Sequence, residues 1–406
     1  MRKLNTICLT TMAIVLSFFI IVPIVTAERG VSRDTILVGS TLDQSGSVVW
    51  LGNALIAGHN VWWSHINAQG GINGRKIKYI FEDDGYKPPM TVSAAKKLIG
   101  KDKVFCLAST LGTSSTTALF PIAKKERLPI IAPISSGKMM FDPFKRYIFA
   151  RACPNDIQAA LMVDYIVNDL KKKNPKIAIF YQDDDYGQDG FKGLLKALKP
   201  YGIKLKAKTS YKRGSVNFNS QALVLKRAKP DFTLLWTAIR ETPAIMREAK
   251  KVGLKTQFIG CAVAAHVKAL QIAQQAAEGY LVTSDQTLVD DNNEGMRTMR
   301  EFFKKYPQAK GQEMPNMYSI MAYGGAMIVA EGLKQAGKDL TIDGFVNALE
   351  NLREFKTGGI LPPITYTSKT RAGGAAAFFA RADVSDPKKP KFIKITDYRK
   401  PMKLHK

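Results

Sequence analysis

Residues 181–190, with the sequence YQDDDYGQDG, place four aspartates between an apolar run, KIAIF, and an amphipathic segment. Clustered carboxylates can ligate calcium or act as a general acid and base. A calcium loop of the EF-hand type needs glycine at its sixth position and glutamate at its twelfth. Counting from Asp183 puts Gln188 and Leu194 at these positions, so the segment does not match such a loop.

The position of this cluster indicates a different role. No histidine or cysteine lies beside the aspartates to complete a nucleophilic site, and aspartates are common in turns. The cluster follows a predicted strand and precedes a predicted helix, which is where open α/β sheets hold their ligands. Tyr186, rather than an aspartate, is therefore the first candidate for ligand contact.

The sequence offers few residues for catalysis or metal binding. Neither a nucleophile with its base nor a metal site can be assembled from the four histidines, which are His59, His65, His266 and His405. Three widely spaced cysteines, Cys106, Cys153 and Cys261, match no zinc pattern and favour structural thiols, with at most one disulfide among them. We predict no catalytic residues, metal or cofactor, and an enzyme on a similar fold is the rival hypothesis.

The first 27 residues have the features of a secretory signal peptide. Two basic residues precede an apolar stretch over residues 7–25, which closes on the small residues Thr26 and Ala27. An uncleaved membrane anchor is the alternative, because the stretch is nearly long enough to span a bilayer. The remaining chain is expected in the periplasm or another extracytoplasmic compartment. Export argues against a nucleic-acid partner, so the net charge of +26 indicates a solvated basic surface.

Strand-like and helix-like segments alternate through most of the chain. Near-continuous apolar strands such as TILVG, VFCLAS and KIAIFY predict parallel sheets covered by helices on both faces. The alternation restarts around Cys153 and becomes helical after Thr283, and two apolar runs flanking SDPKKP predict a closing hairpin. A chain of 406 residues exceeds the usual size of a single core, so two lobes are expected.

Four segments resemble one known family, the type I periplasmic solute-binding proteins of ABC transporters, in the branched-chain amino acid and amide branch. They are INAQGGINGRKIKYIFEDDGY, LASTLGTSSTTALFPIAKKERLPIIAP, IAIFYQDDDYGQDGFKGL and EAKKVGLKTQFIG. The resemblance implies an α/β fold of two Rossmann-like lobes with parallel sheets, joined by three crossovers, that close on a small molecule. It also implies ABC permease membrane subunits as partners. An envelope ligand-sensing module of the same fold is the alternative.

The resemblance divides the chain after the signal into two lobes. Residues 28–154 and 286–365 are predicted to form lobe I, and residues 155–285 and 366–406 are predicted to form lobe II. The hinge crossovers are then expected near Pro154, Ser284 and Thr365.

The same resemblance implies the ligand-binding residues. Thr113, with Ser114 beside it, lies in the loop expected to grip a ligand carboxylate through a hydroxyl and backbone N–H groups. The next such loop contributes the Ile134 carbonyl, Ser135 and Ser136. Tyr186 is the aromatic residue expected from lobe II. Trp50 is a candidate apolar wall, with burial in the core as the equal alternative.

One position departs from the amino-acid binders of this branch. Ala262 stands where they carry the glutamate that pairs with the ligand ammonium, and an unpaired buried ammonium is costly. The sequence therefore favours a small carboxylate or amide over a standard α-amino acid. A branched-chain amino acid binder with a relocated acid stays open, with Asp43, Asp285 and Glu241 as candidates. Arg240 could add positive charge near the cleft.

Overall fold

The computed structural model describes residues 28–308, 311–312 and 314–402, so the predicted signal peptide lies outside the described residues. The strands of the described part are β1 (Thr35–Leu42), β2 (Lys76–Asp83), β3 (Cys106–Ala108), β4 (Ile130–Ile131), β5 (Ile148–Phe149), β6 (Ile177–Gln182), β7 (Ala207–Tyr211), β8 (Phe232–Trp236), β9 (Gln257–Gly260), β10 (Leu281–Ser284), β11 (Phe378–Asp383) and β12 (Lys391–Lys394). The helices are α1 (Val49–Ala68), α2 (Pro88–Gly100), α3 (Thr113–Ala118), α4 (Phe120–Lys125), α5 (Asn155–Asp164), α6 (Asp185–Leu198), α7 (Asn219–Ala228), α8 (Glu241–Lys251), α9 (Val267–Ala273), α10 (Glu294–Lys305), α11 (Met317–Ala336) and α12 (Ile342–Glu350).

The strands form two sheets, which confirms the predicted α/β fold. The first has five parallel strands in the order β2-β1-β3-β4-β5. In the second, β7-β6-β8-β9-β10 repeats the same pattern in parallel, and the antiparallel pair β11-β12 extends it beyond β10. The strand order reverses between β1 and β3 and again between β6 and β8, and ligands bind at such switch points. The predicted closing hairpin is β11-β12.

Helices α10–α12 return to the first sheet. Helix α11 lies so close to α1 that a Cβ added at Gly58 would stand 2.2 Å from the carbonyl oxygen of Ser319, so only glycine fits there. The last crossing to the second sheet comes later than Thr365. Tyr366 is fully buried against Phe149 in the first core, and Ala372 still bridges Ala150. Tyr366 and Ala372 thus both contact the end of the first sheet, at Phe149 and Ala150.

A buried ion pair links the first two segments that cross between the lobes. The Nη1 atom of Arg151 lies 3.8 Å from Oδ1 of Asp285, and both side chains are almost wholly buried. The other carboxylate oxygen of Asp285 accepts a hydrogen bond of 2.8 Å from the Cys153 amide. All three described cysteines are buried and free. Among the described residues, no helix has both the length and the apolar character needed to cross a membrane.

Candidate functional site

A cavity lies between the lobes where β1, β3, β6 and β8 end, and we call it the inner cavity. The volume of this cavity that the centre of a water molecule can occupy is about 40 Å³. Lobe I and lobe II both contribute to its lining, which consists of Val48, Leu51, Tyr86, Leu111, Gly112, Thr113, Ile134, Ser135, Ser136, Gln182, Tyr186, Ala238, Val263 and Tyr318. None of these side chains carries a formal charge at neutral pH, so the site offers hydroxyl, amide and apolar groups.

Five of the predicted ligand residues meet in this cavity: Thr113, Ile134, Ser135, Ser136 and Tyr186. The hydroxyls of Thr113 and Ser135 lie 2.8 Å apart and share one hydrogen bond. One of their two protons therefore stays available for a ligand. The serine oxygen also accepts a hydrogen bond of 3.1 Å from the backbone amide of Gly137 in its own loop, so the Thr113–Ser135 bond is the one that joins the two loops.

Glycine is required just before Thr113. Gly112 has φ of 91°, and a Cβ there would stand 2.5 Å from the ring of Tyr86. A larger residue would therefore have to displace an aromatic side chain that lines the inner cavity.

Three other predicted residues lie elsewhere. Ser114 is half-buried and does not line the inner cavity. Trp50 lines a neighbouring chamber, where its ring meets the edge of His266 at 4.6 Å between centroids. Ala262 is buried behind the cavity wall, and its amide donates a hydrogen bond of 2.9 Å to Gln158. Val263 lines the cavity instead, because the short turn after β9 directs the next residue inward.

The aspartate cluster has the structural role expected of it. Asp184 is the N-cap of α6 and accepts hydrogen bonds from the amides of Tyr186 and Gly187, at 3.1 and 3.3 Å. The Tyr186 hydroxyl lies 2.9 Å from the Cys261 sulfur, and burial raises the pKa of this phenol well above its ordinary value. Tyr186 is thus a neutral aromatic wall.

An arginine that the sequence did not indicate holds the lobes together. Arg213 of lobe II donates a hydrogen bond of 2.8 Å to the carbonyl of Tyr86 in lobe I, and its guanidinium carbon lies 4.1 Å from that ring centre. It also donates to Asp184 at 2.7 Å. We call Arg213, Tyr86 and Asp184 the clasp. No motif marks Arg213, because this residue and its two partners follow three different strands, β7, β2 and β6.

A second contact between the lobes involves Asp189 on α6. Its Oδ2 atom accepts hydrogen bonds from the amide of Lys138 in lobe I, at 3.0 Å, and from the side chain of Asn155, at 2.9 Å. Burial raises the pKa of Asp189 above its ordinary range. Together with the clasp, this contact defines a closed arrangement of the two lobes.

The three candidate relocated acids differ in their surroundings. Asp43 accepts hydrogen bonds from its own loop, including one of 2.7 Å from the amide of Val48. Asp285 pairs with Arg151 at the crossings. Glu241 alone among the three lines the chamber next to the inner cavity, and burial raises the pKa of its carboxyl.

That neighbouring space, which we call the outer chamber, adjoins the inner cavity. Val48, Leu51 and Ala238 line both. Arg240 also lines the outer chamber but is exposed, so it lies near the cleft opening rather than in the inner cavity. Among the described residues, no group of three or more His, Cys, Asp and Glu side chains could hold a metal ion.

A periplasmic binding protein family matches residues 35–389. The chain belongs to this family. A similar relative is the leucine-, isoleucine-, valine-, threonine-, and alanine-binding protein of Pseudomonas aeruginosa, which is 25% identical over 312 residues, or 77% of this chain and 81% of that protein. The relatives are binding proteins rather than enzymes, and the family places this periplasmic binding protein in the periplasm.

Two solved structures share the fold. A fatty acid ABC transporter substrate-binding protein from Thermomonospora curvata has a TM-score of 0.81 at 22% identity and covers 91% of this chain and 93% of its own. A branched chain amino acid ABC transporter protein from Thermus thermophilus with bound valine has a TM-score of 0.81 at 18% identity and covers 91% of this chain and 97% of its own. These likenesses confirm the predicted architecture.

Proposed function

We propose that this periplasmic binding protein clamps a small carboxylate or amide in the inner cavity and delivers it to the permease subunits of an ABC transporter. The observation that carries the proposal is the uncharged, hydroxyl-bearing lining of that cavity. Thr113, Ser135 and Ser136 supply hydroxyl groups on the lobe I side, and Tyr186 closes the lobe II side. Neutral donors of this kind stabilise an anion without an opposing charge.

The same lining disfavours an α-ammonium group in the inner cavity. No carboxylate lines it, and a buried ammonium without a partner costs several kcal/mol. Ala262 removes the expected acid from the sequence, and Val263 presents an apolar side chain in that region.

An amino acid ligand is the second candidate, and Glu241 favours it. Glu241 as a residue is 7% exposed, and among the described residues its carboxylate forms no ion pair within 4.0 Å. A ligand ammonium at the junction of the two chambers would supply the missing partner. The relative from Pseudomonas aeruginosa is named for amino acids.

A thermal-shift panel separates the two candidates. Leucine and valine are compared with 4-methylpentanoate and 3-methylbutanoate, which keep the carbon skeleton and lack the amine, and with the matching amides. A ligand at a hundred times its Kd stabilises the fold by about 2.7 kcal/mol, which is easily detected. Larger shifts with the acids or amides support the proposal. Larger shifts with leucine, lost in Glu241→Gln, would refute it in favour of the amino acid.

A further inference from the structure

We infer that the binding site extends through the inner cavity into the outer chamber, and that the ligand is an elongated acid whose apolar chain occupies this chamber. The inference rests on the proposed function for the head group and adds the class of the ligand's remaining part. It follows from the position of the outer chamber beside the inner cavity, and from the size and the lining of that chamber.

The inner cavity and the outer chamber share part of their lining. Val48 and Leu51 from lobe I and Ala238 from lobe II line both of them. We therefore expect a ligand held by Thr113 and Ser136 to reach the outer chamber past these three side chains. We call the boundary formed by Val48, Leu51 and Ala238 the neck. Ala238 is its small residue on the lobe II side, and a larger side chain at this position would narrow the neck.

The inner cavity is small for a whole ligand in this closed arrangement. A water molecule needs roughly 10–15 Å³ of such space, so the 40 Å³ of the inner cavity suits a carboxylate or amide head group. The outer chamber offers about 210 Å³ by the same measure. Most of the space for a ligand therefore lies outside the inner cavity.

Apolar side chains line the outer chamber on both sides, beside the buried carboxyl of Glu241. Trp50 contributes an aromatic wall from lobe I, and Ile239 and Ile272 contribute aliphatic side chains from lobe II. Ile272 is 39% exposed, and an apolar chain in the chamber would cover it. The exposed charges of Arg240 and Lys268 lie at the solvent side, so the chain's far end can approach water.

The test is a chain-length series measured by isothermal titration calorimetry. Butanoate, hexanoate and octanoate are titrated beside the same chains bearing a 2-amino group, so that the result does not depend on which head group is accepted. Burial of each methylene should tighten binding about fourfold, which corresponds to about 0.8 kcal/mol. Hexanoate should then bind about sixteenfold more tightly than butanoate.

Two variants locate the effect. Ile272→Glu places a charge in the chamber and should abolish the gain with chain length, so that octanoate binds no more tightly than butanoate. Ile393→Glu is the matched control, since Ile393 is also 39% exposed but lies on β12 away from both chambers. Ala238→Phe should narrow the neck and remove the same gain in affinity for octanoate.

The outcomes separate this inference from the proposed function. A chain-length gain that Ile272→Glu removes and Ile393→Glu preserves supports it. Equal affinity for short and long chains overturns the inference and leaves the head-group site standing. If only the 2-amino series binds and its affinity still rises with chain length, the proposed head group is refuted. The role of the outer chamber is then supported. If no chain of either series binds, both are overturned.

Discussion

Replacing Arg213 by alanine should weaken ligand binding while leaving each lobe folded. In the closed arrangement Arg213 donates to the Tyr86 carbonyl at 2.8 Å and lies 4.1 Å from that ring centre, so these contacts exist only while the lobes meet. Its bond to Asp184 lies within lobe II and persists in any arrangement. Asp184 still caps α6 in the variant through the amides of Tyr186 and Gly187.

The magnitude follows from the contacts between the lobes. A hydrogen bond from a charged donor contributes about 1.5–3 kcal/mol, and a cation–π contact at a partly exposed site contributes about 0.5–1 kcal/mol. Both stabilise the closed state relative to the open one. A shift of about 2 kcal/mol in this equilibrium lowers the apparent affinity by at most about thirtyfold, and by less where the ligand-free protein is partly closed. Arg213→Lys should recover only part of this loss, because an ammonium cannot reproduce the planar fork.

The assay combines calorimetry with small-angle X-ray scattering, using the compound that gives the largest thermal shift. Arg399→Ala is the matched control, since Arg399 pairs with Asp169 at 2.9 Å and lies 5.5 Å from the ring of Tyr165, all within lobe II. We expect a weaker Kd and a larger ligand-free radius of gyration in the Arg213 variant alone. Unchanged affinity and radius, or equal losses in both variants, would refute the role of the clasp.

Three further predictions concern the grip and the stability of the fold. Thr113→Ala should weaken acid binding about tenfold or more by calorimetry, whereas Ser114→Ala, outside the inner cavity, should not; equal effects would contradict the assignment. Burial raises the pKa of Asp84 to about 6, so its folded pKa exceeds its unfolded one and stability should fall by about 2 kcal/mol as pH rises from 4 to 7. Asp84→Asn should remove most of this fall in the free energy of unfolding, measured by urea denaturation at pH 4 and pH 7. An unchanged dependence on pH in the variant would contradict the assignment to Asp84. Asp285→Asn leaves Arg151 buried without its partner and should lower the free energy of unfolding by about 3–5 kcal/mol, measured by denaturant titration; a loss below about 1 kcal/mol would show that the pair is not stabilising.

The amino-acid sequence by itself determined the class of the fold and the loops of lobe I. Apolar runs alternating with helical segments specify parallel sheets, because strands covered on both faces must be apolar throughout. The loops with Thr113 and Ser136 follow strands that are neighbours in the first sheet, so local order along the chain already brought them to one edge. The four family segments, each short and contiguous, were sufficient for the family.

Only the tertiary structure decided the rest of the site. Tyr86 and Tyr318 are far apart in sequence, and the return of α11 to lobe I places both in the lining of the inner cavity. Arg213 does not line this cavity, and only the meeting of the lobes brings it to the Tyr86 carbonyl. The late third crossing depends on the pairing of Ala150 with Ala372, which no local pattern encodes. Likewise, the Ala262 amide turns toward Gln158 and Val263 lines the cavity, since a short turn after a strand is oriented by its packing and hydrogen bonds rather than by its own residues.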